Sequence, residues 1–255
     1  MSASDVLELI PVAMAAGWID AVVGGGGLLS LPALLVALPG VPTATLLGTN
    51  KVMAVTGTTS AAATYLRRTE VDGRFAGVAA GVALPAAAAG AVVATALPGN
   101  VFRPVIMVAL LVVGLFVTLR PDFGGTHAPV RLGPARAATA ATLSGAVIGF
   151  YDGMIGSGTG TFLIITFLLV LGADFLHGSA MAKIVNVATN LGAVIVFVAQ
   201  GHVLWGLAPA MAAGNIAGGA LGARMALKRG TSFIRYALLA VVVALVVKLG
   251  YDQWA

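Results

Sequence analysis

Residues 16–35 read AGWIDAVVGGGGLLSLPALL. Four consecutive glycines, Gly24, Gly25, Gly26 and Gly27, interrupt a stretch built otherwise of apolar residues. Each glycine costs a helix about 1 kcal/mol relative to alanine. The run therefore predicts a break at 22–30, inside an apolar segment. A second interruption, MIGSGTGTF, stands at 154–162. An offset of 132 residues carries one onto the other: Asp20 onto Asp152, Gly24 onto Gly156 and Gly26 onto Gly158. The same offset, without a gap, carries Leu31 onto Leu163, Lys51 onto Lys183, Gly90 onto Gly222 and Arg103 onto Arg235. Glycine and valine pairs match easily in such a composition. The Asp and Lys pairs carry more weight, because charge is scarce and all four residues lie within apolar runs.

The scarcity is extreme. Of 255 residues, 59% are hydrophobic and only 9% charged, against about 25% charged in soluble domains. Such a chain is an integral membrane protein. It lacks the alternating segments of an outer-membrane barrel, so its spans are helical. The net charge of +5 comes from basic residues in short loops, the positive-inside pattern, and does not indicate nucleic acid. With no cysteine, thiolate metal sites, iron–sulfur clusters and disulfides are excluded. His127, His177 and His202 are far apart, with no metal-ligand partner at i+3 or i+4, so no metal or other cofactor is expected; His177 and His202 read as loop residues without partners. The start, MSASDVLEL, has no basic segment and is not read as a cleaved signal peptide.

Apolar runs fall at 6–38, 43–66, 75–97, 101–119, 137–171, 177–199, 203–227 and 232–250. Most have the length of about 20 residues that spans a bilayer. The first and fifth are too long for one ordinary span and hold the two glycine breaks. The basic loop 67–74 and the Arg-bearing linker 120–136 are placed in the cytoplasm, as is the end marked by Arg224, Lys228 and Arg229. Parity then requires that runs one and five dip into the membrane and return. In the first, half-helices 8–23 and 28–38 are expected, each too short to span. The predicted fold is all-α and polytopic. Two inverted repeats, 6–119 and 137–251, flank the linker; each is a re-entrant hairpin plus three transmembrane helices, about eight membrane segments in all. Gly-interrupted segments at matching places in two halves are the sequence pointer to a transporter's binding site.

Free N–H groups at the start of a second half-helix, near Leu28 and Leu29, would face a cavity and attract an anion. Ser157, Thr159 and Thr161 add hydroxyls to the second break, beside Gly156, Gly158 and Gly160. The competing explanation for glycine is close helix packing. It is preferred for Gly81, Gly90, Gly214, Gly218 and Gly222, but not for the two breaks. Lys51 and Lys183 lie about twenty residues after the breaks, and an ionisable residue at membrane depth is functional by default. Asn50 adjoins Lys51, while Asn186 and Asn190 share a helical face with Lys183. Asp20 and Asp152 either pair with the lysines, carry a coupled proton, or tie each hairpin together. Trp18, Trp205 and Trp254 read as packing or interfacial aromatics, and Arg103 and Arg235 as anchors.

The segments GWIDAVVGGGGLLSLPALL, GTNKVMAVTGTTSAAATYLRRTEVD and GFYDGMIGSGTGTFLIITFLLVLGAD, in that order, resemble the sulfite exporter TauE/SafE family over nearly the whole chain. The resemblance implies a multi-pass transporter of the bacterial inner membrane. Its implied substrates are small sulfur oxyanions or organosulfonates such as sulfite or sulfoacetate. It maps the functional residues onto the Gly clusters, Asn50, Lys51 and Lys183. One departure stands out: the second break lacks the proline such proteins carry after it.

The expectation is a secondary transporter, not an enzyme, moving a small sulfur-containing anion by alternating access, in the export direction. An anion channel and a carrier of another carboxylate or oxyanion are the rivals. A membrane enzyme lacks an evident nucleophile, and a cation carrier is opposed by the two lysines. No phosphate-binding G-x-x-x-x-G-K-[ST] motif is present, so the energy is assigned to an ion gradient, the membrane potential or the substrate's own gradient. The partners expected are the anion and the lipid bilayer, with no nucleic acid; a homodimer is left open.

Overall fold

The computed structural model describes residues 3–96, 130 and 132–254. Run 101–119, Arg103, His127 and most of the linker 120–136 lie outside the described residues. Every regular element described is an α-helix: α1 (Ala3–Val23), α2 (Gly27–Ala37), α3 (Thr43–Leu66), α4 (Gly73–Ala96), α5 (Pro134–Met154), α6 (Thr159–Leu171), α7 (Phe175–Ala199) and α8 (Ala208–Trp254). Gly230, at φ 75° and ψ −168°, interrupts α8, between the runs that the sequence separates.

Both breaks fall where the glycines predict, at 24–26 and 155–158. The expected half-helices are only partly observed. α2 has 11 residues and α6 has 13, but α1 and α5 have 21 each. At 1.5 Å per residue that is about 31 Å, the thickness of a bilayer core. α1 starts at Ala3 rather than residue 8 because nothing in SDVLEL opposes a helix, and an acid in the first turn favours one. Proline at the first position opens α5 before the apolar run begins.

Small residues bring the long helices together. Along α5, Gly145, Gly149 and Gly153 lie against the backbone of Ala79, Ala83 and Ala87 on α4. Along α8, Gly214, Gly218 and Gly222 lie against Ile10, Met14 and Trp18 on α1. Gly90 packs on Phe150 and Met154, as expected, whereas a side chain at Gly81 would meet no described residue. These rising registers make α1 and α8 parallel, and α4 and α5 parallel. α3 and α7 cross in opposite directions, because Lys51 meets Asn190 while Thr58 and Lys183 meet on Asp20. The α5–α6 hairpin starts and ends at one end of the molecule, where Val130 N donates to Leu171 O.

The exposed faces are apolar, and a polar, charged cluster lies inside an otherwise apolar core. Leu7, Val36, Leu143, Val147, Leu169 and Ile195 are exposed, while Lys51, Asp152, Lys183, Asn186, Thr189 and Asn190 are buried. Water would not tolerate this distribution over a whole surface, but lipid requires it. α4 and α7 are each long and apolar enough to cross a membrane by length and composition. Trp18 packs edge-on to Phe233 and donates to Met225 Sδ, whereas Trp205 is exposed. The two histidines read as partnerless have partners. His177 Nδ1 lies 2.8 Å from Asp174 Oδ1, and Asp174 also caps α7 through His177 N. His202 Nδ1 lies 3.3 Å from Thr45 Oγ1.

Candidate functional site

The two breaks meet at the centre of the molecule. Gly24 has φ +81°, and a Cβ there would collide with the backbone of Gly160 and Thr161. Only glycine satisfies both the dihedral and the approach. Thr161 Oγ1 staples the two hairpins by donating to Val23 O at 2.7 Å, and Tyr65 Oη, on α3, holds the first by donating to Ala21 O at 2.9 Å. These bonds occupy carbonyls that the end of α1 would leave unpaired.

Around this junction the charges pair across the halves. Lys51 Nζ lies 3.0 Å from Asp152 Oδ2, with side chains 3% and 4% exposed. Lys183 Nζ lies 2.9 Å from Asp20 Oδ2, at 0% and 19%. Each lysine thus takes the aspartate of the other half. The third member of each cluster obeys the same offset of 132: Asn190 Oδ1 accepts from Lys51 at 3.2 Å, and Thr58 Oγ1 donates to Asp20 Oδ2 at 3.2 Å. Removing one partner of such a buried pair strands a charge and costs about 3–5 kcal/mol.

A cavity of about 30 Å³ lies between the clusters, room for roughly two water molecules. Of the residues singled out from sequence, it is lined by Asp20, Gly24, Gly26, Gly27, Asn50, Lys51, Asp152, Gly156, Thr159, Gly160, Asn186 and Asn190. Gly25, Ser157, Gly158 and Lys183 lie outside the lining. Ser30, Met53, Ala54 and Asn215 complete it. Of these, Ser30 donates to Asn50 Oδ1 at 2.6 Å, and Asn215 Nδ2 to Ala13 O at 2.8 Å. Asn215 could have been noticed as a polar residue inside an apolar run, and Thr58 as the counterpart of Asn190. Nothing in the sequence marks Tyr65.

The two breaks differ in their backbone. Before α2, Gly26 is already right-handed helical. Leu28 N therefore donates to Gly25 O, and Leu29 N and Ser30 N to Gly26 O. The free amides expected near Leu28 and Leu29 are thus consumed. Before α6, Gly158 is left-handed, at φ 80°, and the first helical bond beyond it runs from Phe162 N to Gly158 O. The amides of Thr159, Gly160 and Thr161 have no hydrogen-bond acceptor among the described residues. Three of the buried polar atoms that have no hydrogen-bond partner among the described residues lie on the same side: Ser157 Oγ, Thr159 Oγ1 and Asn186 Oδ1. Lys51 reaches into this side. A Cβ on Gly156, whose φ is +75°, would fall 2.5 Å from Lys51 Nζ. A helix N-terminus, an ammonium and an unpaired hydroxyl suit an oxyanion. Among the described residues, no group of three or more His, Cys, Asp or Glu could hold a metal ion.

The model of the sulfite exporter TauE/SafE family matches residues 9–249. This chain belongs to that family. It is 35% identical over 244 residues to the probable membrane transporter protein ORF9 of Sinorhizobium sp, covering 96% of this chain and 92% of the relative. It is 32% identical over 242 residues to the probable membrane transporter protein YfcA of Escherichia coli strain K12, covering 95% and 88%. A probable membrane transporter protein of Haemophilus influenzae is 32% identical over 245 residues, covering 96% and 94%. No solved structure matches. As a TauE/SafE family member, the chain is a multi-pass membrane protein whose relatives are named as transporters. The crossed clusters are the interior of a transporter-family protein.

Proposed function

We propose that this protein is a secondary transporter of the bacterial inner membrane, not an enzyme, and that it exports a small sulfur-containing anion such as sulfite or sulfoacetate. The observation that carries the reading is the pair of crossed clusters at the junction of two broken helices. Lys51 and the N-terminus of α6 supply positive charge and donors for an oxyanion. Lys183, held by Asp20, belongs to the matching cluster that secures the other side.

The architecture proposed is two inverted repeats, 6–119 and 137–251, joined by a cytoplasmic linker at 120–136. Packing supports it: α1, α3 and α8 run one way, and α4, α5 and α7 the other. Loop charge supports the orientation. Arg67 and Arg68 follow α3, Arg74 opens α4, and the basic residues at 224–229 precede the Gly230 interruption of α8, which runs parallel to α3. The uncharged turns 39–42 and 201–207 meet at the opposite end, where Leu204 N donates to Thr49 Oγ1 at 2.9 Å. Each hairpin then enters from its own side on a long helix and returns on a short one, α2 or α6. An anion of four or more heavy atoms exceeds the cavity, so the hairpins part to admit it, first on one side and then on the other.

A thermal-shift screen of the detergent-solubilised protein tests this reading. Sulfite, sulfate, thiosulfate, sulfoacetate, taurine, chloride and lactate are compared on the wild type and Lys51→Ala. A ligand at about 100 times its dissociation constant adds about 2.7 kcal/mol of stability. The expected result is a shift with a sulfur-containing anion that Lys51→Ala abolishes. No shift with any anion, or one indifferent to Lys51, contradicts it.

A further inference from the structure

We propose that Lys51–Asp152 is an exchangeable pair, whereas Lys183–Asp20 is fixed. The anion takes Lys51 from Asp152, and the released Asp152 carboxylate binds a proton. This rests on the anion-transport reading above and specifies what drives it.

Three observations single out the Asp152 side. First, the carboxylates are held unequally. Asp20 Oδ2 accepts from both Lys183 and Thr58. Among the described residues Asp152 Oδ2 has only the ion pair with Lys51, because Asn190, in the place corresponding to Thr58, turns its oxygen to the lysine instead. Second, the unsatisfied donors lie here. The amides opening α6 have no acceptor, and neither does the hydroxyl of Thr159, which is 2% exposed and lines the cavity. At the first break the amides of Leu28, Leu29 and Ser30 are bonded to Gly25 and Gly26, and Ser30 Oγ donates to Asn50 Oδ1. Third, Lys51 lines the cavity and Lys183 does not.

Charge balance supplies the proton. Two lysines and two aspartates sum to zero, so an added anion leaves the buried site negative. A carboxylate deprived of its cation in such a place is stabilised by protonation. Written out, the bound anion, the Asp152–Lys51 pair and one proton give the anion on Lys51 and a neutral Asp152 carboxylic acid. No bond other than O–H forms, and nothing is oxidised. The ionisable groups around Asp152 are few. Lys51 faces it from α3, Asp20 from α1 across the cavity, Lys183 from α7 through Asp20, and Tyr151 adjoins it on α5. α2, α6 and α8 place no ionisable side chain in the lining. One proton taken up per anion makes the affinity rise about tenfold for each unit of falling pH.

Calorimetric titration of the full-length protein, repeated in buffers of different ionisation enthalpy, counts that proton. Sulfoacetate and thiosulfate are the probes, since neither titrates appreciably between about pH 6 and 8. About one proton per bound anion is expected in the wild type, none in Asp152→Asn with the anion still bound, and about one in Asp20→Asn. Should Asp152→Asn not fold, Lys51→Met/Asp152→Leu is compared with Lys183→Met/Asp20→Leu. The first pair of changes removes anion binding, and the second leaves proton uptake linked to whatever binding remains. Anion binding to the wild type without proton uptake overturns the exchange and leaves the transport reading standing. So does proton uptake that survives Asp152→Asn but not Asp20→Asn. If neither probe binds the wild type, the anion site itself is wrong and the exchange falls with it.

Discussion

At the scale of the residue, the cradle of Lys51 makes the sharpest demand. Gly156 adopts φ +75° and leaves no room for a methyl group beside the ammonium. Gly156→Ala therefore costs about 1–2 kcal/mol of left-handed strain and pushes Lys51 off Asp152. It is expected to lower the thermal midpoint and weaken the anion-dependent shift. Gly40→Ala, with open space around it, is expected to stay within about 0.5 kcal/mol of wild type. Equal behaviour of the two variants would refute the cradle. Lys51, Lys183, Asp20 and Asp152 were legible in the sequence because charge inside apolar runs is rare. Their pairing was not. Either lysine could have taken either aspartate, and only the crossing of α3 and α7 selects the partner from the other half. Thr161 was noticed as a hydroxyl of the second break but not as the donor to Val23 O, and Tyr65, which ties α3 to the first hairpin, looks like an ordinary residue until its carbonyl partner is seen.

At the scale of the element, the breaks were legible and their consequences were not. Glycine runs say where a helix stops, not how the next one starts. The backbone is right-handed at Gly26 and left-handed at Gly158, and that one difference decides which break keeps free amides. The lengths of α1 and α5 were underestimated for a related reason: residues that permit helix outside the apolar run extend it without leaving a hydropathy signal. The small-residue ladder makes its own prediction. Gly153 abuts the backbone of Ala87, where a side chain has no room. Gly153→Val is expected to spread α4 from α5 and destabilise the protein by about 1–3 kcal/mol, read as a lower midpoint by circular dichroism in detergent. An unchanged midpoint would mean that α4 and α5 do not pack through these residues.

At the scale of the whole molecule, membrane character and family were both readable, from composition and from motifs spread over nearly the full length. The inverted arrangement rests on packing direction and loop charge together, and labelling can test it. The chain contains no cysteine, so single substitutions report cleanly. Arg68→Cys and Lys228→Cys are expected to react with an impermeant maleimide only from the cytoplasmic side, and Gly40→Cys and Gln200→Cys only from outside. Gly40→Cys and Arg68→Cys labelled from one side would contradict a crossing α3. Alternating access through the Lys51 site is the central claim, and counterflow in proteoliposomes tests it most directly. Vesicles loaded with unlabelled anion, chosen from the thermal-shift screen, are diluted into a trace of the same anion carrying a label. Transient accumulation of label above its outside concentration, saturable and lost in Lys51→Ala, is expected. Label that only equilibrates, with flux that never saturates, would mean a channel and contradict the account.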